Sequence, residues 1–181
     1  FLSVILFSTV FTSCSDSLLE EKLYNNLGAS SLPKDNTGLD ELILGIYSRL
    51  YIEQFASFTV YAGDAASDEM FINWGGTPET GWAGQMNFLT LDQNHSVVAN
   101  AWKNAYTIIA QCNEALRVYS GYSDSKIKVL LAEATFWRAY CYYQLGLIFG
   151  NVPLVVVDTD MKNGIPQSNR EELYKFIIDE F

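Results

Sequence analysis

Histidine is nearly absent from this chain. His95 stands alone among 181 residues, which excludes a histidine metal cluster within them. Cysteine is scarce as well. Cys14, Cys112 and Cys141 make no disulfide framework, and no two of them stand at zinc spacing. Basic residues number 11 against 21 acidic ones, for a formal net charge of −10. That balance argues against a nucleic-acid partner, whose phosphates need a basic patch. It also argues against charge-driven docking on anionic lipid. No Gly-rich loop ends in Lys-Ser/Thr to hold a phosphate, and no nucleophile elbow is present. Neither metal nor cofactor is expected, and nothing in these motifs suggests an enzyme.

What is present begins with "FLSVILFSTVFTSCSDS". The apolar run Phe1–Phe11 is shorter than the roughly 20 residues that cross a bilayer. It fits the apolar core of an export signal, about 7–15 residues followed by small ones. The basic flank before that core is missing and residue 1 is not Met, so the run reads as the inside of a signal peptide. Phe11-Thr12-Ser13-Cys14 resembles the lipobox of bacterial lipoproteins, with Phe in place of the usual Leu. On that resemblance Cys14 becomes the first mature residue and carries the lipid. The alternative is a buried N-terminal strand with a chance cysteine. More than one acyl chain anchors stably, since each buried methylene contributes about 0.8 kcal/mol.

Polar, turn-prone sequence follows to Asn36. Residues 1–13 are therefore assigned to a partial signal peptide, 14–36 to a tether and lead-in, and 37–181 to a helical domain. A first helix is expected near Thr37, with Thr37 as N-cap and Asp40 and Glu41 at the positive end of the dipole. Leu39, Leu42, Ile43, Ile46, Tyr47 and Leu50 keep the spacing of one apolar face.

Residues 56–95 have no sustained period and contain Gly75, Gly76, Pro78, Gly81 and Gly84 as breakers. A loop of that length in a compact chain is functional or disordered. Phe71, Trp74, Trp82 and Phe88 count against disorder, which is poor in aromatics.

Two long helices come next. Val98, Ala101, Trp102, Ala105, Ile109, Cys112, Leu116 and Tyr119 form one stripe. The second helix, about Lys126 to Phe149, has two apolar faces. One holds Val129, Ala132, Phe136, Ala139, Tyr143 and Leu147; the other holds Leu130, Ala134, Trp137, Cys141, Leu145 and Ile148. Coverage on both sides is expected, as in stacked helical hairpins. Gly150-Asn151 and Pro153 end it. After the β-branched "PLVVV", a last helix is expected with Ser168 and Glu171 as capping box. Leu173, Phe176 and Ile177 are expected to await partners, so the chain reads as the N-terminal part of a longer protein.

"WKNAYTIIAQCNEAL", "AEATFWRAYCYYQLGLIFGNVPLV", "SDEM" and "NREELYKFI" together resemble the SusD/RagB family. Trp137 stands where that family commonly has Leu. The resemblance implies a mainly α fold of tetratricopeptide-like stacked helical hairpins with a long irregular loop region. It further implies a lipid-anchored, outward-facing protein of the bacterial outer membrane. As implied partners it has a SusC-like TonB-dependent transporter and a glycan, or in some members a peptide. It implies no catalysis.

The expected ligand groups are Trp74 and Trp82, which lie off any stripe and offer wide planes to the C–H face of a sugar. Asn73 and Asn87 add paired donors and acceptors for hydroxyls. The alternative for both tryptophans is a loop anchor packed on the scaffold. Asp68 and Glu69 are adjacent, so they read as a capped turn and not as the separated carboxyls of a glycosidase. Trp102 and Trp137 are expected in the core, and His95 as a satisfied hydrogen-bonding residue. Glu133 and Arg138 are expected as partners of neighbouring hairpins. With Cys112 opposite about residue 133, Cys141 is offset by about 12 Å along the helix, which predicts two free, buried thiols.

Overall fold

In a computed structural model, residues 32–51, 63–71, 82–90, 95–162 and 164–181 are described. Among them are five helices and no sheet: α1 (Asn36–Tyr51), α2 (Trp82–Asn87), α3 (Ser96–Tyr119), α4 (Ser125–Phe149) and α5 (Arg170–Glu180). None of these is long and apolar enough to cross a membrane.

Local chemistry sets the helix ends, one or two residues from where pattern alone puts them. Asp35, and not Thr37, caps α1: its Oδ1 accepts from the amides of Thr37 (2.9 Å) and Gly38 (3.2 Å). A carboxylate facing these free N–H groups does what a threonine hydroxyl would do, with a full charge. Asp124 caps α4 in the same way, through the amides of Lys126 and Ile127. On α5 the capping box is Asn169 with Glu172, one residue beyond the expected pair. Ser168 is diverted, because its hydroxyl and its amide both donate to the Val152 carbonyl (2.6 and 3.0 Å). His95 caps α3 by accepting from the Val97 amide at Nδ1 (3.3 Å), and among the described residues its buried Nε2 has no partner, so it is only half satisfied there. Gly150 closes α4 at φ 74°, a conformation glycine reaches without strain.

α1, α3, α4 and α5 alternate in direction. Tyr119 donates to the Pro33 carbonyl at 2.7 Å, and Gly45 lies against Gln111, so α1 runs antiparallel to α3. The turn after Tyr119 returns the chain as α4. α5 runs back along α4, pairing Leu173 with Gly146, Phe176 with Tyr142, Glu180 with Arg138 and Phe181 with Phe136. The core lies between α1, α3, α4 and α5, with Leu39, Ile46, Ile108, Ile109, Tyr142 and Leu173 fully buried. Leu173 and Ile177 thus find their partners inside this chain, contrary to expectation.

Two further expectations fail. On α4 one face is covered: Leu130, Ala134, Cys141 and Leu145 are buried. On the other only Ala139 is buried, while Val129, Phe136, Tyr143 and Leu147 are exposed. The described partners α1, α3 and α5 occupy one side of α4, and periodicity cannot say what covers the other. Trp137 is correspondingly half-buried. It sits in an aromatic group with Tyr47, Phe136 and Tyr140 instead of in the core, and Tyr47 donates to Glu133 beside it.

Cys112 and Cys141 are free and buried, as expected, but not for the expected reason. Trp102 meets Phe149 and Asn113 meets Arg138 across the hairpin. On that register Cys112 falls within about two or three residues of the level of Cys141, roughly 3–5 Å along the axis. Side chains lean toward their helix N-terminus, so an antiparallel pair brings together residues unequally distant from the turn. Burial raises both thiols: Cys112 is pushed up to about 12 with Arg138 opposing, and Cys141 is held well above the usual thiol range, with Cys112 contributing.

Candidate functional site

After Gly150 the chain leaves helix and forms a loop closed at its base. Ser168 holds Val152, and Pro153 bridges to Gln167 in antiparallel fashion. β-branched residues favour this extended path, and Pro153 has no amide proton to lose. The loop is fixed to the hairpin by side chains. Tyr106 donates to the Pro153 carbonyl (2.7 Å), and Asn113 Nδ2 to that of Val155 (2.9 Å). The Tyr142 hydroxyl accepts from the Val155 amide (2.6 Å) and donates to the Val155 carbonyl (3.0 Å). A phenol can do both only while protonated. Burial enforces that state, pushing Tyr142 up to about 12 and raising Tyr106 beyond.

Between loop and α3 lies a cleft of about 260 Å³, lined by Trp102, Tyr106, Pro153, Val155, Met161, Gly164 and Ile165. Trp102 is partly buried, tilted 45° on Tyr106 at 4.9 Å and edge-on to Phe149 at 5.1 Å. Gly164 turns the far rim at φ 75°. The lining is aromatic and aliphatic, and its one hydroxyl is spent on Pro153. Such a surface binds through apolar contact and stacking. It carries no carboxylate, thiol or imidazole for acid–base or nucleophilic work.

Trp102, expected in the core, is partly buried: it packs against the core on one side and lines the cleft on the other. Trp102 and Tyr106, four apart on one helix followed by Pro153 and a β-branched run, were the signal for this site. The expected lipidation site Cys14 and the expected ligand groups Asn73 and Trp74 lie outside the described residues, as does the Trp82 side chain, although Trp82 opens α2. Asn87, partly buried on α2, donates its amide nitrogen to the carbonyls of Ala65 (3.1 Å) and Met70 (2.9 Å). It braces the turn holding Asp68 and Glu69. That turn is capped as expected, by Ser67, whose hydroxyl donates to Asp64 and accepts from Glu69.

Stacked antiparallel helical hairpins carrying an aromatic cleft define a binding scaffold. The profile of the SusD-like family, described as starch-binding and associating with the outer membrane, matches residues 18–179, and the chain belongs to that family. It is 27% identical over 187 residues to SusD-like protein P2 of Formosa agariphila, covering 98% of this chain and 35% of that protein. Among solved structures, one with a xylogluco-oligosaccharide is similar at a TM-score of 0.61 and 21% identity, over 78% of this chain and 28% of the other. A SusD-like protein from Bacteroides fragilis is similar at 0.58 and 20% identity, over 81% and 28%. The chain thus spans about a third of the length of these relatives.

Proposed function

We propose that this chain belongs to a cell-surface lipoprotein that captures glycans and delivers them to a SusC-like TonB-dependent transporter, without catalysing a reaction. In this reading residues 1–13 are signal peptide, and Cys14 carries the lipid that anchors the protein in the outer membrane. Residues 14–36 form the tether, and 37–181 the first part of the helical domain. Trp74 and Trp82 are stacking platforms with Asn73 beside them, and the Trp102 cleft is a further apolar surface for a sugar ring. The observation that carries the reading is family membership over residues 18–179, with the family's description as starch-binding. The oligosaccharide in the structural neighbour and the aromatic, acid-free cleft here support it.

The test is affinity electrophoresis of the intact protein through gels containing starch, xyloglucan or other polysaccharides. Retardation by at least one is expected, weakened in Trp74→Ala and Trp82→Ala without loss of melting temperature. Migration unchanged by every polysaccharide, with binding to peptides instead, overturns the glycan reading in favour of peptide capture. For the anchor, Cys14→Ser is expected to move the protein out of the detergent phase, and unchanged partitioning refutes it.

A further inference from the structure

One of the bonds that hold the loop wall of the cleft, that of Asn113 to Val155, depends on a buried polar chain that does not line the cleft. Arg138 on α4 is almost fully buried. Its Nε and Nη2 both reach Glu180 Oε2 on α5 (2.7 and 2.6 Å), and its Nη1 donates to Asn113 Oδ1 on α3 (2.7 Å). The Phe176 ring lies 5.6 Å from the guanidinium carbon. An asparagine amide can point either way, but a guanidinium has only donors to offer. Arg138 therefore demands the oxygen of Asn113. That leaves the amide nitrogen to face the other side, where it donates to the Val155 carbonyl. Glu180 in turn holds Arg138 in the one position that reaches Asn113.

We propose that Arg138 and Glu180 are positioning residues for the cleft: by fixing the amide of Asn113 they fix Val155, and with it the distance from the loop wall to Trp102 and Tyr106. The docking of α5 is thereby coupled to the shape of a cleft it does not line. That the cleft takes a sugar rests on the proposed function; the positioning of the wall does not.

Three variants of the intact protein test it. Asn113→Asp keeps the acceptor for Arg138 but turns an oxygen on the Val155 carbonyl. Arg138→Lys keeps the charge but lacks the planar fork that reaches Glu180 and Asn113 together. Glu180→Gln is the mild variant, which removes only the charge. Hydrogen exchange is read by mass spectrometry on peptides covering 152–156 and on the interiors of α3 and α4. Asn113→Asp and Arg138→Lys are expected to speed exchange at 152–156 roughly tenfold, the factor that one hydrogen bond of ordinary net strength supplies, and to leave the helix interiors unchanged. Glu180→Gln is expected to do so less. Unchanged exchange at 152–156, or acceleration spread evenly over α3 and α4, overturns the proposal. Maltohexaose binding is measured in parallel. Weaker binding by the variants supports the coupling to the ligand, and equal binding by all forms overturns it. Should the wild type not bind maltohexaose, the exchange result still decides the positioning, and the polysaccharide gels decide the glycan reading.

Discussion

Replacing Trp102 by alanine tests the cleft most directly, because it separates what the indole contributes to folding from what it contributes to binding. Truncating a fully buried tryptophan costs about 3–5 kcal/mol. Trp102 is partly buried, with contacts to Tyr106 and Phe149 on its inner side and the cleft on the other. Scaling with burial of about two-thirds, the stability loss is expected at about 2–3 kcal/mol. If a sugar ring stacks on the open side, affinity should fall by about 1–3 kcal/mol, on the scale of an interface anchor. That is roughly 5- to 150-fold in Kd. Trp102→Phe retains a smaller plane and should lose less of both. Urea denaturation gives the first quantity, and calorimetric titration of the intact protein with the glycan retained in the gels gives the second. An affinity unchanged after correction for the folded fraction removes Trp102 from the site. A stability loss of 4 kcal/mol or more, on the scale of a full-burial truncation, returns it to the core.

Other consequences are equally open to measurement. A Cβ at Gly38 would lie 2.0 Å from the Pro33 carbonyl oxygen and 2.6 Å from the Tyr119 hydroxyl, parting two groups that are hydrogen-bonded to each other. Gly38→Ala should therefore cost about 2–4 kcal/mol, strain plus an unpaired buried hydroxyl, and an unchanged denaturation midpoint would contradict the close approach. At Gly45 the nearest atom to a new Cβ is Gln111 Nε2 at 4.0 Å, an ordinary contact. Gly45→Ala should accordingly stabilise by about 0.5–1 kcal/mol through helix propensity, and destabilisation would mean α1 and α3 pack closer than the structure shows. Cys112 rises from 9.0 to about 12 and Tyr142 from 10.0 to about 12. The unfolded chain releases these protons first, so stability is complete below the unfolded values and is lost as pH climbs from about 9 toward 12. A melting temperature flat to about pH 11 would refute buried, neutral groups at these positions.

Cap positions show where a local reading slips. Thr37 and Ser168 were reasonable caps by residue type, yet Asp35 and Asn169 do the work. Ser168 is taken by Val152, sixteen residues away in sequence, so a long-range bond outcompeted a local one. Asn87 was legible as a polar loop residue, but not as a brace, because Ala65 and Met70 stand 22 and 17 residues away in sequence. Trp102 was legible as an aromatic on an apolar stripe. Its exposure to a cleft was not, since the opposite wall is built by residues from Pro153 to Ile165, in a separate segment of the chain.

What could be read from order alone was what depends on neighbours in the chain: the extents of α3 and α4, the stop at Gly150, and the family resemblance. Helical period and capping act over a few residues, and those interactions are written consecutively. Which face of α4 is covered, how Cys112 and Cys141 come level, and how Arg138, Asn113 and Glu180 link three helices to the Val155 wall were decided by tertiary structure. A period says which residues share a face, but not what lies across from it. That depends on the packing of segments far apart in the chain, and the same apolar stripe serves equally as core, as cleft or as open surface.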